Sequence, residues 1–484
     1  MDSTKERDAG GLEVHHIDVV DPSERHGKAR DLFAVWLSAN VNIGNAIFGA
    51  LAVIVGNSPF WALVAVLVGN ALGGAFMALH SAQGPKLGVP QLIQSRGQFG
   101  YYGALLPVAL AVLLYGGFFV VTAIIGGQAL TAAIPALPQP VAIVLVSLVS
   151  IVLALIGYRA IHTAARLALW PLAISVLVVG IASIRQGGVD LTPTGFAWGP
   201  FLTAVGITAT FLLTYAPYVS DYSRYLPEDT SVRGAFGWTF AGAYLGTVLT
   251  EIVGVALAAQ FADSDTMTAV GQVLGGGPLA AVVLLVGALA IGGNNALNLY
   301  GGMLNLITAA SSVATMRPRL SLRVGMLLPT FVIGLAVALS ASNDFVTNLN
   351  NFLSFLMLGF VPWGAINLLD FYLVRRGHYD VPAFFTRSGV YYDDPATWTR
   401  RGVNWQAVTA YVVGVAAALP FVSNAWYQGA LTGVFGGADV SWIPGLLVTG
   451  VLYLVLSRNA RVPATGTGSP VAGRGSELGT AGAR

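Results

Sequence analysis

Between Asp31 and Ser457 the chain is a succession of apolar runs, each near the ~20 residues an α-helix needs to cross a hydrocarbon core. That repetition predicts an all-α integral membrane protein of about twelve transmembrane helices. The expected spans, helices 1 to 12 in order, are 31–56, 59–82, 103–133, 139–157, 164–185, 200–220, 235–260, 278–312, 322–341, 345–373, 404–424 and 441–457. Charge agrees with the hydropathy. Only 10% of the 484 residues are charged, where a soluble domain carries about 25%. With the N-terminus placed in the cytoplasm, 23 of the 24 Lys and Arg fall on the inner side and only Arg185 outside. A miscounted helix would scramble that positive-inside alternation. Both termini are therefore expected in the cytoplasm, with the chain a multi-pass protein of the cell membrane.

Residue usage removes several kinds of chemistry. With no cysteine there is no disulfide, thiolate metal site or cysteine nucleophile. The six histidines (15, 16, 26, 80, 162 and 378) lie in termini, loops or helix ends at no metal-ligand spacing. Residues 1–30 are polar, unlike a cleavable signal peptide, and helix 1 is expected to direct insertion itself. Residues 458–484, rich in Gly, Ala, Thr, Ser and Pro, are expected to form a disordered cytoplasmic tail. The inner loop from Gly377 to Asn404 carries Tyr379, Tyr391, Tyr392 and Trp398, rings expected at headgroup level. Gly69 and Gly73, four apart, predict close helix packing.

Two helices are interrupted. Helix 1 carries the polar stretch Ser38-Ala39-Asn40-Val41-Asn42-Ile43-Gly44-Asn45 at mid-membrane, and helix 6 runs into Thr214-Tyr215-Ala216-Pro217. Proline removes a backbone donor, and unpaired backbone at membrane depth is tolerated where it lines a cavity or lies buried in protein. Helices 1 and 6 open two five-helix halves, and breaks at matching places point to a transporter's binding site. The alternative reading has Asn40, Asn42 and Asn45 merely bonding their surroundings and Pro217 making a passive kink.

Other groups could hold a ligand. Helix 8 contains Gly292-Gly293-Asn294-Asn295-Ala296-Leu297-Asn298, and amides offer donors and acceptors without charge. Helix 3 brings Tyr115, Phe118, Phe119 and Thr122, and helix 6 brings Phe211, Thr214 and Tyr215. A planar base held against such rings gains roughly 1–3 kcal/mol per stacked face. Ionisable residues within spans are functional candidates by default. Glu251, in the middle of helix 7, is the best candidate proton carrier, with a structural hydrogen bond as the other reading. Asp221, Asp344 and Asp370 sit at helix ends, where water or Arg224, Arg375 and Arg376 could satisfy them.

From about Glu24 to Trp405 these residues resemble the nucleobase–cation symporters, in their purine–cytosine permease branch. The likeness is spread over Glu24-Arg25-His26-Gly27, Gln83-Gly84-Pro85-Lys86-Leu87-Gly88-Val89-Pro90 and Ser95-Arg96-Gly97-Gln98-Phe99-Gly100. It continues in Asp221-Tyr222-Ser223-Arg224-Tyr225-Leu226-Pro227 and Pro362-Trp363-Gly364-Ala365-Ile366-Asn367-Leu368-Leu369-Asp370, with Tyr372 and Arg375. The resemblance implies a LeuT-type fold, a 5+5 inverted repeat plus two extra C-terminal helices. The parts would be a cytoplasmic segment 1–30, repeats 31–185 and 200–373, helices 11 and 12 at 404–457, and the tail 458–484. It implies a nucleobase (cytosine or a purine) stacked between an aromatic of helix 3 and one of helix 6, its edge read by amides. Carried over, the rings fall on Phe118 and on Phe211 or Tyr215, and the polar readers on Thr122, Asn294 or Asn295, with Asn40 and Asn42 from the break. Thr122 stands where the family carries an amide.

Sodium-coupled relatives use helix 8 hydroxyls, and Val286 to Ala296 contains no Ser or Thr. Co-transported H+ is therefore preferred over Na+, with no other cofactor, no metal and no nucleic-acid partner. Alternatives within transport are a hydantoin, allantoin, a thiamine-like vitamin or a nucleoside. An enzyme would need a clustered catalytic set, and a channel would need charged rings or filter loops; the sequence offers neither.

Overall fold

A computed structural model describes residues 18–313 and 320–459. The expected tail therefore lies outside the described residues from 460 onward, as do residues 1–17 and the inner-loop Arg317 and Arg319.

The described chain is almost wholly helical and follows the expected spans closely. Helix 2 is Pro59–Ser81, helix 3 Leu105–Ala133, helix 4 Gln139–Ile156 and helix 5 Tyr158–Arg185. Helix 7 is Val232–Gln260, helix 8 Pro278–Val313, helix 9 Leu320–Ala341 and helix 10 Phe345–Leu369. Helices 11 and 12 are Trp405–Ala418 and Trp442–Leu456. Helix 5 begins six residues earlier than expected, because nothing between Tyr158 and Thr163 breaks it. Short helices between spans were not anticipated: Gln91–Phe99 after helix 2 and Thr266–Val273 after helix 7.

Both expected breaks are present. Helix 1 is two pieces, Asp31–Asn40 and a 3-10 turn leading into Ala46–Ile54, bent by 66°. Helix 6 runs Trp198–Leu213, passes through a 3-10 turn at Ala216–Tyr218 and resumes over Val219–Ser223.

Helices 1, 2, 6 and 7 pack on one another, while helices 3, 4, 8 and 9 form a second group. Glycines set the closeness of the first group. A Cβ on Gly69 or Gly73 would strike Thr208, Val205 or Ala209 of helix 6, and one on Gly254 would strike the Ala46 backbone. Gly73→Ala forces a methyl group against a backbone carbonyl, and overpacking of this kind costs about 1–3 kcal/mol. A lowered unfolding temperature of the purified protein is the expected result.

The inner loop departs from expectation. Trp398 is exposed, but Tyr391 is buried and Tyr379 is half-buried. These two rings pack against protein. They form a plug with Phe371 and Phe384 beneath helix 10, backed by a ribbon pairing Thr399–Arg400 with Val403–Asn404. Burial pushes the Tyr391 hydroxyl up to about 12. It stays protonated across the physiological range and accepts the Asp380 amide at 3.0 Å.

Candidate functional site

The break in helix 1 is stabilised by its own asparagines. The Asn42 side chain accepts from the Gly44 amide at 3.0 Å, capping the 3-10 turn. Asn45 donates to the Asn40 carbonyl at 3.1 Å, and Thr250 of helix 7 donates to the same oxygen at 3.3 Å. The Asn40 amide nitrogen donates to the Trp36 carbonyl at 2.8 Å. Its side-chain oxygen is fully buried without a partner among the described residues. An amide oxygen left this way is costly, so Asn40 is the group in the break best prepared to accept from a ligand or water.

Helix 8 separates its two adjacent asparagines. Asn295 is buried and committed: its nitrogen donates to the Phe119 carbonyl of helix 3 at 3.0 Å, and its oxygen accepts from Asn298 at 2.9 Å. It joins helices 3 and 8. Asn294 is exposed, yet not toward lipid. Val282, Leu285 and Leu289 mark the lipid-facing side, with Leu289 65% exposed, and Asn294 lies about 140° around the helix from Leu289. It shares instead the side of Gly287 and Ile291, which abut Ile43 and Gly44 of the break. It therefore lies on the side of helix 8 that abuts the interrupted part of helix 1.

The rings sort differently from expectation. Phe211 packs against Phe48 of helix 1 in a tilted pair at 4.3 Å between centroids, and Tyr215 meets Trp36 edge-on at 5.5 Å. Both helix 6 candidates thus face helix 1. Phe118, half-buried beside Thr122 on helix 3, meets Phe352 of helix 10 edge-on at 5.4 Å. The ring pair joining helices 3 and 6 is Tyr115 with Tyr218, stacked at 5.4 Å. Tyr218 was missed in the sequence, although it lies three residues beyond Tyr215, close to one turn on.

Glu251 is buried between helices 7 and 2. One carboxyl oxygen accepts from Asn70 at 2.6 Å, and the other has no partner among the described residues. The expected partnering of Asp370 by Arg375 is present at 3.1 Å, on a π-turn over Asp370–Val374 that ends helix 10. Its surroundings were not anticipated. Tyr379 donates to one oxygen at 2.6 Å and Tyr453 of helix 12 to the other at 2.7 Å. From Tyr379 a buried chain of amides runs through Gln98, Asn367 and Gln83 to Gln91, whose backbone amide donates to Asp221. It ties the Ser81 end of helix 2 and the Ser223 end of helix 6 to helix 10. Among the described residues, no group of three His, Cys, Asp or Glu is placed to hold a metal ion.

A helical bundle in which two membrane-spanning helices are interrupted at matching places is the arrangement of a secondary transporter. The chain matches the family model described as permease for cytosine/purines, uracil, thiamine, allantoin over residues 19–445, and it belongs to that family. It is thus a membrane transport protein and not an enzyme. It is 35% identical over 459 residues to the putative purine-cytosine permease YxlA of Bacillus subtilis, covering 92% of this chain and 96% of that one. The purine-cytosine permease fcyB of Emericella nidulans is 27% identical over 442 residues, with 87% and 84% covered. Among solved structures, the inward-facing conformation of Mhp1 superposes with a TM-score of 0.74 at 21% identity, covering 93% and 94%. The closed conformation of Mhp1, a nucleobase-cation-symport-1 family transporter with bromovinylhydantoin bound, gives 0.69 at 21% identity, covering 92% and 95%. The fold is the LeuT-type architecture implied by the resemblance.

Proposed function

We propose that this permease imports a nucleobase, cytosine or a purine, by cation symport through alternating access. The observation that supports the reading is Asn294, an exposed neutral amide on the side of helix 8 that abuts the broken stretch of helix 1. A neutral, planar, hydrogen-bonding solute suits that combination. In this reading residues 31–185 and 200–373 are the two five-helix halves, followed by helices 11 and 12. Helices 1, 2, 6 and 7 rock against helices 3, 4, 8 and 9. Phe118 supplies a stacking face from helix 3 and Tyr215 one from helix 6, with Phe211 held against Phe48. Asn294 and Asn40 read the edge of the base, Thr122 adds a hydroxyl, Asn42 holds the break open through its cap, and Asn295 fixes helix 8 to helix 3. The protein lies in the cell membrane with both termini cytoplasmic.

Protons are the coupling ion in this reading. Ile291 packs against Gly44 where helix 8 meets the break, and an aliphatic side chain there offers no oxygen to sodium, which requires hard oxygen ligands. Glu251, with one neutral donor and a free oxygen, is the proton carrier. The alternative solutes remain those of the family's breadth: a hydantoin, allantoin, a thiamine-like vitamin or a nucleoside. Thr122 favours keeping them in view, because a short hydroxyl leaves more room than an amide.

The test is uptake of a labelled nucleobase panel into cells expressing the chain, with and without sodium and with and without a protonophore. Cytosine or purine uptake that is abolished by protonophore and indifferent to sodium is expected. Uptake of no base, with transport of one of the other solutes, would overturn the substrate; strict sodium dependence would overturn the ion. Asn294→Ala is expected to weaken base binding at least tenfold without lowering the unfolding temperature. Asn295→Ala should do the reverse and cost stability by about 1–3 kcal/mol, the penalty for unsatisfied buried partners.

A further inference from the structure

At the end of the bundle opposite the N-terminus, helices 6 and 10 and the 423–441 connection before helix 12 line a half-open cavity of about 20 Å³. Its polar lining is Thr203, Thr210, Asn350, Ser354, Ser423 and Asp439. The space is of water size. Four hydroxyls in that lining already have their protons directed elsewhere. Thr203 donates to the Gly199 carbonyl at 2.9 Å and Thr210 to the Gly206 carbonyl at 2.7 Å. Ser423 donates to the Gly437 carbonyl at 2.6 Å, and Ser354 to the Asp439 carboxyl at 2.5 Å. What these hydroxyls offer the cavity is oxygen lone pairs. Asp439, 7% exposed, also accepts from the Ser441 amide at 3.0 Å. Among the described residues no cationic side chain comes within ion-pair distance of it.

We propose that this cavity is a site for a small monovalent cation, Na+, which fastens the outer ends of helices 6 and 10 to the connection between helices 11 and 12. Hard oxygens in a water-sized space suit Na+. A single carboxylate balances one positive charge, whereas Ca2+ is held by more oxygen ligands, several of them carboxylate. The site is separate from the coupling ion and does not rest on the proposed function. Asn424, which donates to Ser354 at 3.1 Å, and the Ala425 amide, which donates to Asn351 at 2.8 Å, already bring the connection onto helix 10. A bound ion adds helix 6 to that contact.

The test is amide hydrogen exchange and thermal unfolding of the purified full chain without substrate, in sodium chloride and in choline chloride. Sodium is expected to slow exchange across residues 423–441 at least threefold and to raise the unfolding temperature. Asp439→Asn, which keeps an acceptor for the Ser441 amide, and Thr203→Val should each abolish that protection. Should Asp439→Asn fail to fold, Ser423→Ala must weaken the sodium effect for the proposal to survive. Protection that is equal in choline, absent altogether, or undiminished in the variants would overturn it and leave the cavity holding water only. Sodium protection confined to residues 40–45 would place the ion at the helix 1 break and would equally overturn it.

Discussion

Glu251→Gln is expected to abolish accumulation of substrate against its gradient while leaving substrate exchange across the membrane intact. Glutamine has the shape of a protonated glutamic acid and keeps an oxygen for the Asn70 amide, which now donates at 2.6 Å. The helix 2 to helix 7 contact should therefore survive, and only the capacity to carry a proton is lost. Energetically the loss is large. One charge crossing 100 mV supplies ~2.3 kcal/mol, and a tenfold proton gradient adds ~1.4 kcal/mol. Together they exceed the ~2.8 kcal/mol that a hundredfold solute gradient requires. The wild type should reach such a gradient and the variant none. The position favours the assignment: Glu251 follows Thr250, whose hydroxyl lies 3.3 Å from the Asn40 carbonyl, so the carboxyl sits one residue from a contact with the break. Uptake measured from an inward proton gradient, beside counterflow in preloaded vesicles, separates the two functions. Wild-type accumulation in Glu251→Gln would sink the proton-carrier reading and leave Glu251 a structural hydrogen-bonding group.

The spans and both breaks were legible in the sequence, because lipid demands long apolar runs and penalises polar residues within them. Asn-Val-Asn in helix 1 and Tyr-Ala-Pro in helix 6 stand out against that background. Partner choice inside the site was less legible. Asn294 and Asn295 are chemically identical and adjacent, yet 100° of helix rotation leaves one exposed and sends the other onto the Phe119 carbonyl. Phe211 and Tyr215 belong to one side of helix 6, but which helix that side meets depends on tertiary packing, and it meets helix 1. Hydropathy carried nothing about the inner plug or the Gln83–Asn367–Gln98 chain. Polar residues near span ends are ordinary in solvated loops, and only the fold buries these. The outer cavity was equally hidden, since Asp439 and Ser354 are 85 residues apart and meet only when the final connection folds back over helix 10.

Asp370→Ala should be the most damaging single change outside the substrate space. The carboxyl is fully buried and takes three partners: Arg375 at 3.1 Å, the Tyr379 hydroxyl at 2.6 Å and the Tyr453 hydroxyl at 2.7 Å. Removing it leaves a buried guanidinium with no counter-charge and two phenol donors without acceptors. Breaking one side of a buried ion pair costs about 3–5 kcal/mol, a large part of the 5–15 kcal/mol that typically separates folded from unfolded protein. Arg375 also lies against the Tyr379 and Tyr391 rings, so the plug under helix 10 should loosen with it. The measurement is thermal unfolding of the detergent-solubilised variant, beside a cycle with Arg375→Met. Taking away both charges should restore part of the loss, because the single variant's penalty is chiefly the stranded cation. Tyr453→Phe, which deletes one donor and leaves the ion pair, should cost only about 1 kcal/mol. An Asp370→Ala protein as heat-stable as wild type would show that water replaces the carboxylate there, and the plug would then be a solvated surface loop rather than the anchor of helices 10 and 12.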